Sequence, residues 1–314
     1  MKIALIVPIY NEKDNISGFL ERTIPVIEQI GINYEIIFIA DPSSDGTEEI
    51  VLDKIKYNKN LKLIIMSRRF GQPAAMLAGI KNTEADYVVL IDVDLQDPPE
   101  LISEMYKHAQ LGYDVVMARR NKKIGENLIR KVVSSIGYSF ISKLSDTNIP
   151  KNVGEFRLIS KRVVNHIKSM EEKDFFLRGI ISYIGFKQKI ITFDRISRKE
   201  GVTKYNKYLG SLRIGLNGIF SFSTKPLHII TMLSFASFTF STITFFTYLF
   251  LTYFNFFVFK YQFFIILLIF VVSSLIFFSQ GIISEYLARL ISDIKKRPNY
   301  IIDKKYNFSD EEDI

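Results

Sequence analysis

Two stretches in the second half of the chain contain no Asp, Glu, Lys or Arg: Pro226 to Phe259, and Tyr261 to Ser284. Each exceeds the roughly 20 residues that a helix needs to cross a bilayer. Phe and Leu occur on every side of these segments rather than along one stripe, as in lipid-facing helices; buried helices of a soluble protein are the alternative. Only Lys260 separates the two, with Asn255 just upstream, so they read as a hairpin of two transmembrane helices at about 227–253 and 261–284.

The flanks orient that hairpin. Lys204, Lys207, Arg213 and Lys225 precede it, and Arg289, Lys295, Lys296, Arg297, Lys304 and Lys305 follow it. The positive-inside rule then places both flanks, both termini and the whole N-terminal half in the cytoplasm. The net charge of +8 is accounted for by anionic lipid headgroups beside the spans and calls for no nucleic acid. Absence of cysteine excludes a disulfide framework and any Cys-ligated zinc, and fits a reducing compartment. The first residues, KIALIVPIYNEKDN, do not form a signal peptide: the apolar run is short, broken by Pro8 and followed by charge. A first β-strand fits them better.

In the N-terminal half, apolar runs alternate with helix-period segments. Expected strands are Ile3–Val7, Tyr34–Ala40, Leu61–Met66, Tyr87–Ile91 and Asp114–Ala118; expected helices lie near Ile16–Ile30, Gly46–Tyr57, Pro73–Lys81 and Pro99–Leu111. That order predicts an α/β fold with a mostly parallel sheet. Four strands are followed in turn by PIYNE (8–12), DPSSDGT (41–47), SRRFGQ (67–72) and DVDLQD (92–97). Open α/β sheets bind ligands at the carboxyl ends of their strands, so polar clusters at four such ends predict one shared cleft. Ordinary turns favour the same residue types, and any single cluster is open to that explanation.

The fourth cluster carries Asp92, Asp94 and Asp97. Two carboxylates at i and i+2 past a strand can approach one cation, and Asp and Gln oxygens are hard ligands suited to Mg²⁺ or Mn²⁺. Such an ion keeps sites free for phosphate oxygens. Asp97, before Pro98 and Pro99, is expected to cap the next helix. An aspartyl phosphatase is the competing use of Asp-x-Asp; Gln96, two positions beyond the second Asp, disfavours it.

The motifs VPIYNE, SSDGT, LAGI, LIDVDLQDPPE, GEFRL and GVTKY occur in an order that resembles family 2 glycosyltransferases of the GT-A fold. Within that family the chain is most similar to polyprenyl-phosphate glycosyltransferases: dolichol-phosphate mannose synthases and, through GIISEYLARLISDIKKRPNYII (281–302), the bacterial undecaprenyl-phosphate (bactoprenol) glucosyltransferases. The resemblance covers nearly the whole chain. It implies a Rossmann-like GT-A domain over 1–205, a juxtamembrane amphipathic helix over 206–225, the two spans over 226–284 and a cytoplasmic tail over 285–314. It implies that Asp92, Asp94 and Gln96 ligate Mg²⁺ or Mn²⁺, and that Pro8, Tyr10, Glu12 and Asp41 line the base and ribose of a nucleotide diphosphate sugar. Asp45 has the alternative of capping the following helix. Two departures bear on the base: Ala40-Asp41-Pro42 where the family usually has Asp-Asp-Gly, and Arg69 where many members have Asn.

The same resemblance matches RISRKEGVTKY (195–205) to a phosphate loop, giving Arg198 and Lys204 to the donor diphosphate; Lys204 is equally open to a lipid contact. The stretch NLIRKVVSSIGYSFISKL (127–144) has Leu128, Val132, Ile136, Phe140 and Leu144 four apart, a basic amphipathic helix fit for a membrane surface or for packing on the sheet. By resemblance, Arg119, Arg130 and Ser134 lie near the lipid phosphate. Glu155 stands where the family has Asp, to orient a sugar hydroxyl or pair with Arg157; Asp94, Glu155 and Arg198 are the expected catalytic set. The implied reaction is an inverting, metal-dependent transfer of a hexose to undecaprenyl phosphate at the bacterial inner membrane. The donor is expected to be UDP-glucose, with GDP-mannose, UDP-galactose and UDP-N-acetylglucosamine as alternatives. The resemblance also implies a homotetramer. A processive synthase would be expected to carry a Gln-x-x-Arg-Trp motif, and the chain has no tryptophan. A non-catalytic nucleotide-binding anchor accounts for the hairpin but not for the acidic turn together with the basic loop.

Overall fold

The computed structural model describes residues 1–121, 150, 153–170, 177–194, scattered positions between 230 and 254, and 261–308. Its centre is one eight-stranded sheet. The strands in chain order are β1 (Lys2–Ile9), β2 (Asn33–Ala40), β3 (Leu61–Met66), β4 (Tyr87–Leu90), β5 (Val115–Arg120), β6 (Val153–Ser160), β7 (Gln188–Phe193) and β8 (Ile302–Tyr306). Across the sheet they run β7-β5-β6-β4-β1-β2-β3-β8. The pairs β1·β2, β1·β4, β2·β3 and β5·β7 are parallel, whereas β4·β6, β5·β6 and β3·β8 are antiparallel. The sheet is therefore mixed: the expected parallel core is present, with β6 and β8 set against it.

Helices cover both faces. On one lie α1 (Ile16–Glu28), α2 (Thr47–Tyr57) and α4 (Leu101–Gln110); on the other lie α3 (Gln72–Lys81), α5 (Lys161–Ser169) and α6 (Leu177–Ile184). The period of two in β1 explains this sandwich. Ile3, Leu5, Val7 and Ile9 enter the first core, and Ala4 and Ile6 enter the second. In α1 the buried Ile16, Phe19, Leu20, Thr23 and Ile27 recur at helical spacing, giving one face to the sheet. A fully buried Leu, Ile or Phe contributes about 1.5–3 kcal/mol, so these two cores dominate the favourable side of folding.

One further helix, α7 (Tyr261–Ile294), has 34 residues. At 1.5 Å per residue it is about 50 Å long, more than the hydrocarbon thickness of a bilayer. Its segment Val271–Ala288 has a mean hydropathy of 1.4, and none of it is buried against the rest of the chain. Ile269, Ile276, Phe277, Phe278, Ile283 and Leu287 are all exposed. It is the one helix among the described residues long and apolar enough to cross a membrane. The first expected span falls mostly outside the described residues; the positions described between 230 and 253 are helical.

The tail is not a free appendage. Beyond α7 the chain returns to the sheet as β8 along β3, with Met66 opposite Ile302 and Leu63 opposite Tyr306. Asn307 Nδ2 donates to the carbonyls of Lys59 and Leu61. This strand covers an edge that β3 would otherwise leave unpaired.

Candidate active site

The carboxyl ends of β1, β2, β3, β4 and β5 lie at one end of the sheet, and antiparallel β6 starts there. Pro8 stands in a central strand, where a missing N–H is usually excluded. The register explains it. β4 pairs with β1 only as far as Ile6 opposite Leu90, and the last bond on that side runs from Ile91 N–H to the Ile6 carbonyl. Pro8 points the same way as Ile6, beyond the place where β4 has turned out, so no ladder donor is needed. β1 and β4 part at this point, so the loops that follow them diverge.

The loops after β1 and β2 are stitched together. Asn11 N–H donates to Ser43 Oγ, and Ser44 N–H donates back to Asn11 Oδ1 at 2.8 Å. Glu12 N–H donates to Thr47 Oγ1 at 2.9 Å, and Lys13 N–H donates to Asp45. Asp45 also accepts from Thr47 N–H and Oγ1 at the start of α2, although the N-cap position itself is Gly46. Burial would raise its carboxyl, but these donors outweigh burial and hold it below the usual range. Asn11 has φ 52°, a left-handed conformation that Asn tolerates.

Asp41 is buried, and its two carboxylate oxygens accept from the backbone N–H groups of Phe70 and Gly71 at 3.0 and 2.9 Å. It therefore fixes the loop after β3. From that loop the Arg69 guanidinium lies over the Tyr10 ring, 4.0 Å from its centroid. Three of the four clusters thus form one connected wall.

In the acidic turn Leu95 has φ 55°, costly for a branched residue and a form of strain found at functional sites. Gln96 N–H donates to Asp94 Oδ1 at 3.2 Å, and Gln72 Nε2 donates to Asp92 Oδ1 at 2.7 Å. Desolvation raises the Asp92 carboxyl to about 7, with Asp97, Asp94 and Glu155 adding repulsion and Arg120 opposing. Asp92 is half-buried by surface. The expectation that Asp97 caps a helix is corrected. The next helix begins at Leu101, while Asp97 is buried and both its oxygens accept from Arg120 Nη2 at 3.2 Å. Its charge is spent inside the turn.

β6 completes the site through an irregularity. Met117 pairs with Arg157 but Arg119 pairs with Val153, so one residue of β5, Ala118, faces three of β6, Gly154 to Phe156. The bulge at Gly154 and Glu155 breaks the ladder, as bulges beside active sites do. Arg157 turns back to donate to the carbonyls of Gly154 and Glu155, and it is only 1% exposed. Glu155 also accepts from Arg157 Nη2 at 3.3 Å and from Arg178 Nε at 2.6 Å. Desolvation would raise this carboxyl, but Arg157, Arg178 and Arg120 together hold it below the usual range. Arg178, on α6, was not singled out in the sequence; the signal was a lone arginine in the otherwise apolar LRGIISYI.

Pro8, Tyr10, Glu12, Asp41, Asp92, Asp94, Gln96, Arg119 and Glu155 thus all lie at the same end of the sheet. Arg130, Ser134, Arg198 and Lys204, with both amphipathic helices, lie outside the described residues. Among the described residues no three His, Cys, Asp or Glu side chains are grouped to hold a metal. Two carboxylates and an amide oxygen from Asp92, Asp94 and Gln96 still suit Mg²⁺ or Mn²⁺, which commonly take one or two protein carboxylates and complete their shell with substrate phosphate and water. Desolvation first, and then neighbouring carboxylates, disfavour the charged form of Asp92, and a bound cation would offset both, so the residues fit.

Comparison with known proteins agrees with this geometry. The profile described as glycosyl transferase family 2 matches residues 4–168. An uncharacterised glycosyltransferase of Synechocystis sp. is 34% identical over 309 residues, covering 96% of this chain and 95% of that protein. The putative glycosyltransferase CsbB of Bacillus subtilis is 34% identical over 300 residues, covering 96% and 91%. The SfII prophage-derived bactoprenol glucosyl transferase of Shigella flexneri is 32% identical over 308 residues, covering 98% and 99%. The chain belongs to glycosyl transferase family 2. It is a glycosyltransferase, as the motif order led us to expect.

Proposed function

We propose that this chain transfers a hexose, glucose from UDP-glucose, to undecaprenyl phosphate at the cytoplasmic face of the bacterial inner membrane, with inversion at the anomeric carbon. One observation carries the lipid acceptor. Seven residues, 295–301, join the apolar helix α7 to Ile302 beside Met66, at the carboxyl end of β3 where the candidate site lies. Fully extended, they span at most about 25 Å. The C-terminal end of α7 is therefore tethered within about 25 Å of the end of the sheet that carries the candidate site, which supports a lipid acceptor.

The sheet also supports the two-span hairpin. β7 and β8 share it, so a chain that entered a bilayer between them would have to return to the same side. If α7 makes one crossing, residues 226–259 are the uncharged stretch that makes the other.

The nucleophile is a phosphate oxygen. With a second pKa near 6 the acceptor is largely dianionic at neutral pH, so no strong general base is needed. Pro8, Tyr10 and Glu12 line the nucleotide, with Asp41 acting on it through the loop it fixes. Arg119, Arg130 and Ser134 orient the acceptor in line, and Arg198 and Lys204 hold the donor diphosphate. Asp92, Asp94 and Gln96 would hold the divalent ion, which when bound neutralises charge on the leaving diphosphate. Glu155, spent on two arginines, orders the acceptor side rather than taking a proton. The similar Shigella flexneri protein is named a bactoprenol glucosyl transferase, which supports this acceptor and sugar.

The test is incubation of the solubilised chain with a panel of radiolabelled nucleotide sugars and undecaprenyl phosphate, with and without EDTA. Label from UDP-glucose should enter the lipid phase only without EDTA; label from another donor would reassign the sugar.

A further inference from the structure

Glu155 is ringed by arginines whose donors are not equally spent. Arg157 is buried and uses its guanidinium on the bulge carbonyls and on Glu155. Arg178 makes one hydrogen bond among the described residues, through Nε, and its side chain is 28% exposed. That leaves its two terminal nitrogens for another acceptor. Arg119 follows Val115 and Met117 on the face covered by α3, α5 and α6, and its Nε is buried with no partner among the described residues. Glu155 and Arg157 alternate with Ile159 on that same face, and α6 packs there.

One face of the catalytic end thus carries three guanidinium groups with two carboxylates, Glu155 and the Gln72-bonded Asp92. A buried donor without a partner is costly, so an acceptor is expected at Arg119. A carboxylate bonded to arginine Nε holds the guanidinium plane while its outer edge stays open, and that edge suits phosphate oxygens in pairs.

We propose that Arg178 binds a substrate phosphoryl group, with Glu155 as the residue that aims it. This rests on the phosphate-dependent transfer argued above and adds a contact assigned neither by the motifs nor by the relatives. The shared chemistry is a phosphoryl anion; its source is either the lipid phosphate or the donor diphosphate.

The experiment measures KM for UDP-glucose and for undecaprenyl phosphate separately, together with kcat, for the full-length chain and for Arg178→Ala, Arg178→Lys and Glu155→Gln. Titration of UDP provides a second donor readout. Arg178→Ala should raise one of the two KM values by about tenfold to a hundredfold, as loss of a charged hydrogen bond does, while the other stays within twofold. A rise confined to the lipid substrate assigns the acceptor phosphate. A rise confined to UDP-glucose, with weaker UDP binding, assigns the donor diphosphate. Arg178→Lys should recover part of the loss, and Glu155→Gln should raise the same KM. If wild type transfers sugar and both Arg178 variants keep wild-type KM for both substrates, the proposal is overturned. It is equally overturned if both variants lose only kcat and thermal stability, which marks a structural ion pair. A wild type that transfers no sugar to any lipid phosphate would instead overturn the function proposed above.

Discussion

Ser67 donates its backbone N–H to the carbonyl of Ile301 at 2.9 Å. Ser67 opens the loop that carries Arg69 and the two N–H groups held by Asp41; Ile301 closes the connector from the apolar helix. The relationship joins the apolar helix α7 to the wall of the candidate site through one strand, β8, and the stability of that strand is open to measurement.

Asn307 anchors β8 through two hydrogen bonds at 2.9 and 2.7 Å and has φ 66°. Asn307→Ala removes both bonds and places a less tolerant residue at positive φ. We expect a loss of about 2 kcal/mol, with a matching fall in Tm. Asn307→Gly loses the bonds but keeps the conformation and should fall between the two. Equal Tm for all three would show that β8 does not hold the fold.

At the opposite end of the sheet, buried Glu35 accepts from Lys2 Nζ at 2.7 Å and Thr83 Oγ1 at 2.6 Å, and pairs with Lys62 Nζ at 2.8 Å. Burial would raise its carboxyl, but these three partners lower it beneath 4.5. A depressed carboxylate stabilises fully above its unfolded value and ceases to do so as pH falls through the folded one. Glu35→Gln should cost about 3 kcal/mol at pH 7, and denaturant titration should show the gap to wild type closing only below about pH 4.5.

Gly79 on α3 lies against β1 and β2. A Cβ there would sit 2.4 Å from Ile6 Cγ2 and 2.9 Å from Ile39 Cδ1. Gly79→Ala gains helix propensity yet must push the helix off the sheet, so a net loss of about 1–3 kcal/mol is expected in thermal melts.

Arg120 neutralises Asp97 and opposes the charge on Asp92. Arg120→Ala strands a buried carboxylate, and about 3 kcal/mol of stability should be lost at neutral pH. Arg120→Lys, which keeps the charge, should lose less. Wild-type melting of the alanine variant would mean that the pair is not structural.

The first five strands and four helices were legible because each carries a clear period: Ile3, Leu5 and Val7 alternate with Ala4 and Ile6, and Ile16, Phe19, Leu20 and Ile27 recur at helical spacing. β8 was not. Asp303, Lys304 and Lys305 are exposed in it, because an edge strand shows one side to water and reads as tail. GEFRL stood out as a motif, but nothing local told that it runs antiparallel or bulges; partner and register are set by β4 and β5. The cluster of site residues was legible since four loops repeat the same chemistry. Two assignments turned on distances no sequence contains. Asp97, ahead of two prolines, looked like a cap, but Arg120 takes its charge, and Arg178 approaches Glu155 only because α6 packs beside the bulge.

The acids after β4 are proposed above to serve sugar transfer to a lipid phosphate. Incubating wild type and Asp94→Ala with labelled UDP-glucose, undecaprenyl phosphate and Mn²⁺, then counting label extracted into organic solvent, tests it most directly. Wild type should yield lipid-borne label and Asp94→Ala at least a hundredfold less at unchanged Tm; equal labelling by the two proteins would refute a role for these acids.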